Sequence, residues 1–212
     1  MAIGAQVRRM FGPLEAPVTD LYRAFFIDLS QQMTLVKRWV PSAASILEIG
    51  CGEGAVAQKL VTLYPTASIT GIDISPKAGR LYRGDRSRVT FATTSAAEHA
   101  EVHAGQYDLI LTCDVLHHVP WEQHATLLRQ ARTLLKPGGV FVLKDWEPIK
   151  NIGHIACEFS DRVLTGDDVR YGSESYFRTL LESTFGTDCV KAFTRVRPWR
   201  NNFMFLARPE SA

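Results

Sequence analysis

Glu48-Ile49-Gly50-Cys51-Gly52-Glu53-Gly54 closes the apolar run Ser45–Ile49 and opens an amphipathic stretch that reaches Leu63. A short apolar run that breaks into alternating glycines and then turns helical is a strand–helix junction, and glycine, having no Cβ, lets a ligand lie against its backbone. Downstream, Ser68–Ile74, Arg88–Thr93, Tyr107–Cys113 and Val140–Lys144 are further short apolar runs. Tyr107–Cys113 is nearly all apolar, as expected of a strand covered on both faces. Helices are expected over Glu53–Leu63, with Ala55, Leu60 and Leu63 among its apolar positions, and over Trp121–Leu135, stopped by Lys136-Pro137-Gly138-Gly139. The alternation predicts an α/β fold, a doubly wound, mainly parallel sheet between layers of helices. Beyond Asp145 the pattern loosens: Trp146–Gly172 is mixed, Glu174–Thr184 reads as helix, and Cys189–Phe193 and Phe203–Leu206 read as late strands that pair antiparallel. Upstream, Val18–Trp39 reads as helical, with Leu21, Phe25, Leu29, Met33 and Val36 near 3.6 spacing, a stripe that either packs on the core or forms a lid.

The totals restrict the function classes. A chain of 212 residues fits one domain, 1–212, with a helical segment at 1–41, a core at 42–145 and a final part at 146–212. A formal charge of +2 gives no strong field for nucleic acid or anionic lipid, so neither is expected as a partner. Cys51, Cys113, Cys157 and Cys189 form no CxxC pair, which argues against a zinc knuckle or disulfide framework. His99, His103, His124 and His154 are scattered without ligand spacing, so no metal is expected. The first residues carry no apolar run of the secretory kind, and no stretch approaches the roughly 20 apolar residues of a membrane span. The expectation is a cytoplasmic protein; a homodimer stays open.

Gly50, Gly52 and Ala55 satisfy a dinucleotide fingerprint, and Asp73 lies at the right distance to hold a ribose, so the turn alone does not separate NAD from S-adenosylmethionine. Three other features do. A pyrophosphate wants positive dipole at the helix start, where this turn carries Glu53 with Glu48 just before it, a pair better suited to a sulfonium and an ammonium. No tyrosine is followed by lysine four residues later, so the Tyr-x-x-x-Lys relay of small dehydrogenases is absent. The run Cys113-Asp114-Val115-Leu116-His117-His118-Val119-Pro120 supplies a polar loop at the carboxyl end of the fourth strand, where open α/β sheets bind ligands.

Through ILEIGCGEG, GIDIS, YDLILTCDVLHHV and LLKPGGVFVLKD, in that order over Ile46–Asp145, the chain resembles class I S-adenosylmethionine-dependent methyltransferases of the small-molecule type, related to the quinone-methylating group. The resemblance implies a Rossmann-like sheet of seven strands in the order 3-2-1-4-5-7-6 with strand 7 antiparallel. It implies S-adenosylmethionine as cofactor and methyl transfer to a small-molecule acceptor. By resemblance Gly50, Cys51 and Gly52 make room for the methionine part, Glu48 orders the loop and the ammonium, Asp73 holds the ribose hydroxyls, and Ile74 packs on the adenine, with Asp114 beside them. Where the family often has an Asp for the adenine amino group this chain has Ser95, which leaves Ser95, the backbone at Ala96, or Glu98.

Methyl transfer is an in-line displacement served mainly by alignment, and a base is needed only for a protonated nucleophile. His117 and His118 are the candidates for that base, neutral imidazole near pH 7 being suited to accept a hydroxyl proton. Tyr22, Trp146, His154 and Tyr171 are candidate acceptor contacts, with Phe25, Phe26 and Phe159 able to cover the site, Arg162 as a looser candidate, and Asp145 and Glu147 as rim residues. The basic, Trp-containing run Arg195–Asn202 raises an RNA or protein substrate as the alternative; the absence of an Asn/Asp-Pro-Pro-aromatic tetrapeptide weighs against it, and a solvated loop is the plainer reading. A non-catalytic S-adenosylmethionine binder is the third option.

Overall fold

The computed structural model describes residues 28–148, 169–198 and 201–210. Helix α1, Leu29–Trp39, begins where the Asp28 carboxylate accepts from the Gln31 amide at 2.9 Å, and buries Gln32, Met33 and Val36. The rest of the expected helix, residues 18–27, lies outside the described residues. Strand β1, Ser45–Ile49, leads through the glycine turn to α2, Ala55–Leu63. That helix starts two residues later than expected because Gly54, at φ 94, takes the left-handed conformation at its cap.

Strands β2, Ser68–Asp73, and β3, Val89–Thr93, follow, and then a helix the periodicity reading leaves out, α3, Ala96–His103. Its start is a capping box: the Glu98 amide donates to Ser95 Oγ at 3.2 Å, and Glu98 Oε2 accepts from the Ser95 amide at 2.9 Å. Strand β4, Tyr107–Cys113, a 3₁₀ turn at Leu116–His118 and α4, Trp121–Leu134, come next. Strand β5 spans Leu135–Trp146, so Leu135 belongs to the strand and not to the helix. Tyr107 pairs with Leu135 and Leu109 with Val140, so the Pro137-Gly138-Gly139 stretch is accommodated as a bulge within β5. Helix α5, Glu174–Phe185, and strands β6, Val190–Val196, and β7, Asn202–Ala207, complete the described chain.

The sheet order is β3-β2-β1-β4-β5-β7-β6; β1 to β5 pair in parallel, and β7 runs antiparallel to both neighbours. On one face Met33, Val36, Val56 and Leu60 of α1 and α2 pack on Ile46, Leu111, Val142 and Met204. On the other, Leu128, Ala131, Phe177 and Phe185 of α4 and α5 pack on Ile110, Phe141, Phe203 and Phe205. Each such fully buried side chain is worth about 1.5–3 kcal/mol, enough to make the sheet a rigid platform. Strand order reverses between β1 and β4, the place where sheets of this kind leave a ligand crevice beyond the carboxyl ends of the strands.

Within the run Arg195–Asn202, Arg195 and Val196 end β6, Arg197 and Pro198 form an exposed bend, and Asn202 begins β7, so the described part is a connection between the last two strands with strand residues at either end. Pairing of β6 with β7 continues to Val196 opposite Asn202, Asn201 and Asn202 are fully buried, and Arg195 is ion-paired with Glu147 at 2.7 Å and with Glu174 at 3.2 Å. The hairpin therefore absorbs much of the segment and spends one of its charges internally.

Candidate functional site

Gly50 and Gly52 both have left-handed backbone, at φ 75 and 49. The Gly50 and Cys51 amides donate to the Ile72 carbonyl at 2.8 and 3.0 Å, which ties the turn to the end of β2. A Cβ at Gly50 would meet the Val115 methyls, whereas one at Gly52 would meet nothing within 4 Å. At the end of β2, Asp73 Oδ2 accepts from the Gly52 amide at 2.7 Å and Oδ1 from the Ser75 amide at 2.8 Å. The carboxylate is thus fixed between turn and strand, with lone pairs left over for hydroxyl donors.

Above this turn lies a cavity of about 650 Å³ whose lining includes Gly50, Gly52, Asp73, Ile74, Ser95, Ala96, Asp114, Val115 and His118. Ile74, 81% exposed, offers an uncovered apolar surface at its edge. Seven of the nine expected cofactor contacts therefore converge; Glu48 and Cys51 are buried in the floor beside it. Burial foremost, then the charges of Glu48 and Asp73, push the Cys51 thiol far above its ordinary range, so it is inert as a nucleophile. One expectation needs correction. Glu53 turns away from the cavity to pair with Arg80 at 2.6 Å, so only Glu48 and Asp73 supply the negative charge assigned to the turn. Ser95 Oγ and Glu98 are engaged with each other in the cap of α3, which commits their side chains to the helix start.

The tip of β5 organises the other half. Asp145 Oδ1 is bonded to His117 Nδ1 at 2.6 Å and accepts from the Trp146 amide at 2.7 Å, while Oδ2 accepts from the Leu116 amide at 3.0 Å. Burial alone would raise the Asp145 pKa; the His117 charge and hydrogen bond, with the Trp146 amide and Lys144, outweigh it and hold the carboxyl below its ordinary value. His117 is itself buried, stacked on Tyr171 with ring centroids 5.3 Å apart, and its carbonyl accepts from the Arg170 amide at 3.0 Å. His118, its ring centroid 4.2 Å from that of His117, is exposed and lines the cavity. His124, fully buried, bonds through Nε2 to the Leu116 and Val119 carbonyls at 2.8 and 2.9 Å and through Nδ1 to the Tyr176 hydroxyl at 2.9 Å, which fixes its Nε2–H tautomer and closes the loop.

Asp145, expected on the rim, is fully buried, and Trp146, expected to contact the acceptor, is 2% exposed within β5 opposite Asn202, with the Lys144 ammonium 4.9 Å from its ring. Tyr22, Phe25, Phe26, His154, Phe159 and Arg162 lie outside the described residues. Sequence spacing misses two features. Lys144 is fully buried and ion-paired with Asp114, the one non-glycine residue of positive φ among the described residues, at 58. Gln32 is fully buried with neither side-chain polar atom hydrogen-bonded. No local spacing signals either, because each depends on which elements stack. Folding also gathers one ligand atom each of Asp114, His117 and Asp145 within 4.8 Å, a grouping the spacing of the histidines does not foretell. The Lys144 ammonium and the His117–Asp145 bond already compensate that cluster from within. Among the described residues no helix is long and apolar enough to cross a membrane.

Comparison with known proteins agrees with this geometry. Residues 47–141 match the family model of a methyltransferase domain. The ubiquinone biosynthesis O-methyltransferase of Thiobacillus denitrificans is 33% identical over 112 residues, 48% of this chain and 46% of that protein. The enzyme of the same name from Xanthomonas axonopodis is 32% identical over 110 residues, 50% of this chain and 44% of that one. The chain thus spans about half the length of these curated relatives. The fold is shared with the Burkholderia thailandensis 1,6-didemethyltoxoflavin-N1-methyltransferase, solved with its substrate and S-adenosylhomocysteine, at a TM-score of 0.64 and 18% identity, covering 100% of this chain and 92% of that one. It is also shared with human N-acetylserotonin methyltransferase in complex with SAM, at a TM-score of 0.59 and 19% identity, covering 88% of this chain and 50% of that one.

Proposed function

We propose that this chain, which carries a methyltransferase domain of class I architecture, transfers the methyl group of S-adenosylmethionine to a small-molecule acceptor. The observation that carries the reading is the Asp73 carboxylate, held by the Gly52 and Ser75 amides in a cavity of about 650 Å³ beside a glycine turn open to a ligand. In that cavity Asp73 would accept hydrogen bonds from the ribose hydroxyls, Ile74 would pack on the adenine, and Gly52 would leave backbone accessible to the amino-acid end. Bound there, the cofactor supplies an electrophilic methyl carbon; the chain's part is to hold the acceptor in line with it.

For a hydroxyl acceptor, the proton goes to the His117–His118 pair: His118 lines the cavity, and His117, buried and bonded to Asp145, lies behind it with the ring centroids 4.2 Å apart. Asp145, ionised at neutral pH, accepts from His117 Nδ1 and fixes the orientation of that ring. With the bound cofactor supplying the methyl group and keeping the departing thioether, the chain's own part would be to hold the acceptor oxygen in line and to take up its proton at the histidine pair. The names of the curated relatives, O-methyltransferases, favour an oxygen nucleophile. His118, at the cavity wall, contacts the reacting end.

The test is calorimetry with S-adenosylhomocysteine and NADH, followed by incubation of labelled S-adenosylmethionine with phenols, quinols, carboxylates and amines. Binding of S-adenosylhomocysteine alone, transfer to at least one acceptor, and a loss of about 10²-fold or more in kcat for His117→Gln are expected. Binding of NADH in its place overturns the proposal. Tight cofactor binding with no transfer to any acceptor favours the non-catalytic binder.

A further inference from the structure

Lysine is almost never fully buried without a reason, and Lys144 sits at the tip of β5 with its side chain at 0% exposure. Its partner is Asp114, 22% exposed, a lining residue of the cofactor cavity and held in a left-handed conformation that side chains rarely adopt. The Asp114 amide also donates to the Lys144 carbonyl at 3.0 Å, so the pair is joined through backbone and side chain. Among the described residues Glu48, Glu53 and Asp145 are the buried carboxylates at this end of the sheet; Glu53 is paired with Arg80 and Asp145 is bonded to His117.

Resting on the reading above, the site must hold a ligand whose sulfur is cationic before the reaction and neutral after it. An uncompensated carboxylate in the cavity wall would stabilise the charged form over the transition state, in which that charge is disappearing, and would slow the transfer. We infer that Lys144 is a positioning residue for the cofactor's charge: its ammonium cancels Asp114, and the balance of the pair sets how strongly the site prefers the sulfonium over the thioether product. Removal of either partner then moves that preference in opposite directions, which loss of a purely structural ion pair does not do.

The experiment is calorimetric titration of the full chain with S-adenosylmethionine and with S-adenosylhomocysteine, for wild type, Lys144→Met, Asp114→Asn and the double variant. Lys144→Met should raise the ratio of S-adenosylmethionine to S-adenosylhomocysteine affinity by at least about fivefold, Asp114→Asn should lower it comparably, and the neutral double variant should return to within about twofold of wild type. Equal changes in both affinities for each single variant, or shifts of the same sign, overturn the inference. Circular dichroism checks folding. If Lys144→Met does not fold, Asp114→Asn and the double variant still carry the sign and its cancellation. A wild-type protein that binds neither compound overturns the functional reading beneath, a failure distinct from a ratio that does not move.

Discussion

Alanine at position 50 tests the glycine turn at its tightest point. Gly50 has φ 75, and an added Cβ would run into the Val115 side chain on the loop after β4. Holding a non-glycine residue in the left-handed region costs about 1–2 kcal/mol, and forcing a methyl into packed space about 1–3 kcal/mol. Together the two effects predict a loss of about 2–5 kcal/mol, a large share of the ~5–15 kcal/mol typical of a domain. The two contributions are separable. Trimming Val115 to Ala removes the obstacle and leaves the backbone conformation as it was, so Gly50→Ala/Val115→Ala should recover about 1–3 kcal/mol relative to the sum of the single losses. Urea unfolding of the four proteins measures this. Gly52→Ala is the control: its methyl meets nothing within 4 Å, so stability should fall only by the backbone contribution of about 1–2 kcal/mol. Affinity for S-adenosylhomocysteine should drop more, because the methyl stands beside the cavity. If Gly50→Ala costs less than about 0.5 kcal/mol, or its effect simply adds to that of Val115→Ala, the account of the turn is wrong.

Gln32→Leu should raise the stability of the ligand-free protein by about 1–3 kcal/mol, since it removes a fully buried amide that makes no hydrogen bond; a lower melting temperature would contradict that. Asp145 provides the pH dependence. Its folded-state pKa lies below the unfolded value, so its contribution is complete above the unfolded pKa and is lost as pH falls through the folded one. Asp145→Asn should therefore lose less stability than wild type between about pH 5 and pH 3, and parallel curves in chemical unfolding across that range would refute the assignment.

Much of the sheet can be read from the chain because β1 and β4, buried along most of their length, are nearly continuous apolar runs, whereas β2 and the mostly exposed β3 are marked by shorter apolar stretches between turns. Boundaries slip where glycine and proline have two uses. Gly54 shortens the start of α2, and Pro137-Gly138-Gly139, which reads as a stop, is a bulge inside β5. Helix α3 is missed by periodicity because its apolar face is weak, although Ser95 and Glu98 spell a capping box. The glycine-turn half of the candidate site is legible because Gly50, Gly52 and Asp73 belong to local motifs at the ends of β1 and β2. The acceptor side is not, because the His117–Asp145 and Lys144–Asp114 pairs join residues about thirty positions apart that only the register of β4 against β5 brings together. Trp146 illustrates the limit: its aromatic ring invites a binding role, and its place opposite Asn202 in the sheet buries it.

The bulge at Pro137–Gly139 and the pairs at the tip of β5 make that strand tolerant at one end and intolerant at the other. Lys144 and Asp145 are neighbours, so they point to opposite faces, the cation toward the Asp114 side and the anion toward His117. A residue gained or lost within the bulge is absorbed before the ladder resumes at Val140. The same change between Val140 and Lys144 would exchange the faces, delivering acid where base is needed and base where acid is needed. Length variation among descendants of this chain should therefore collect at the glycine pair and stop short of the five residues that follow it.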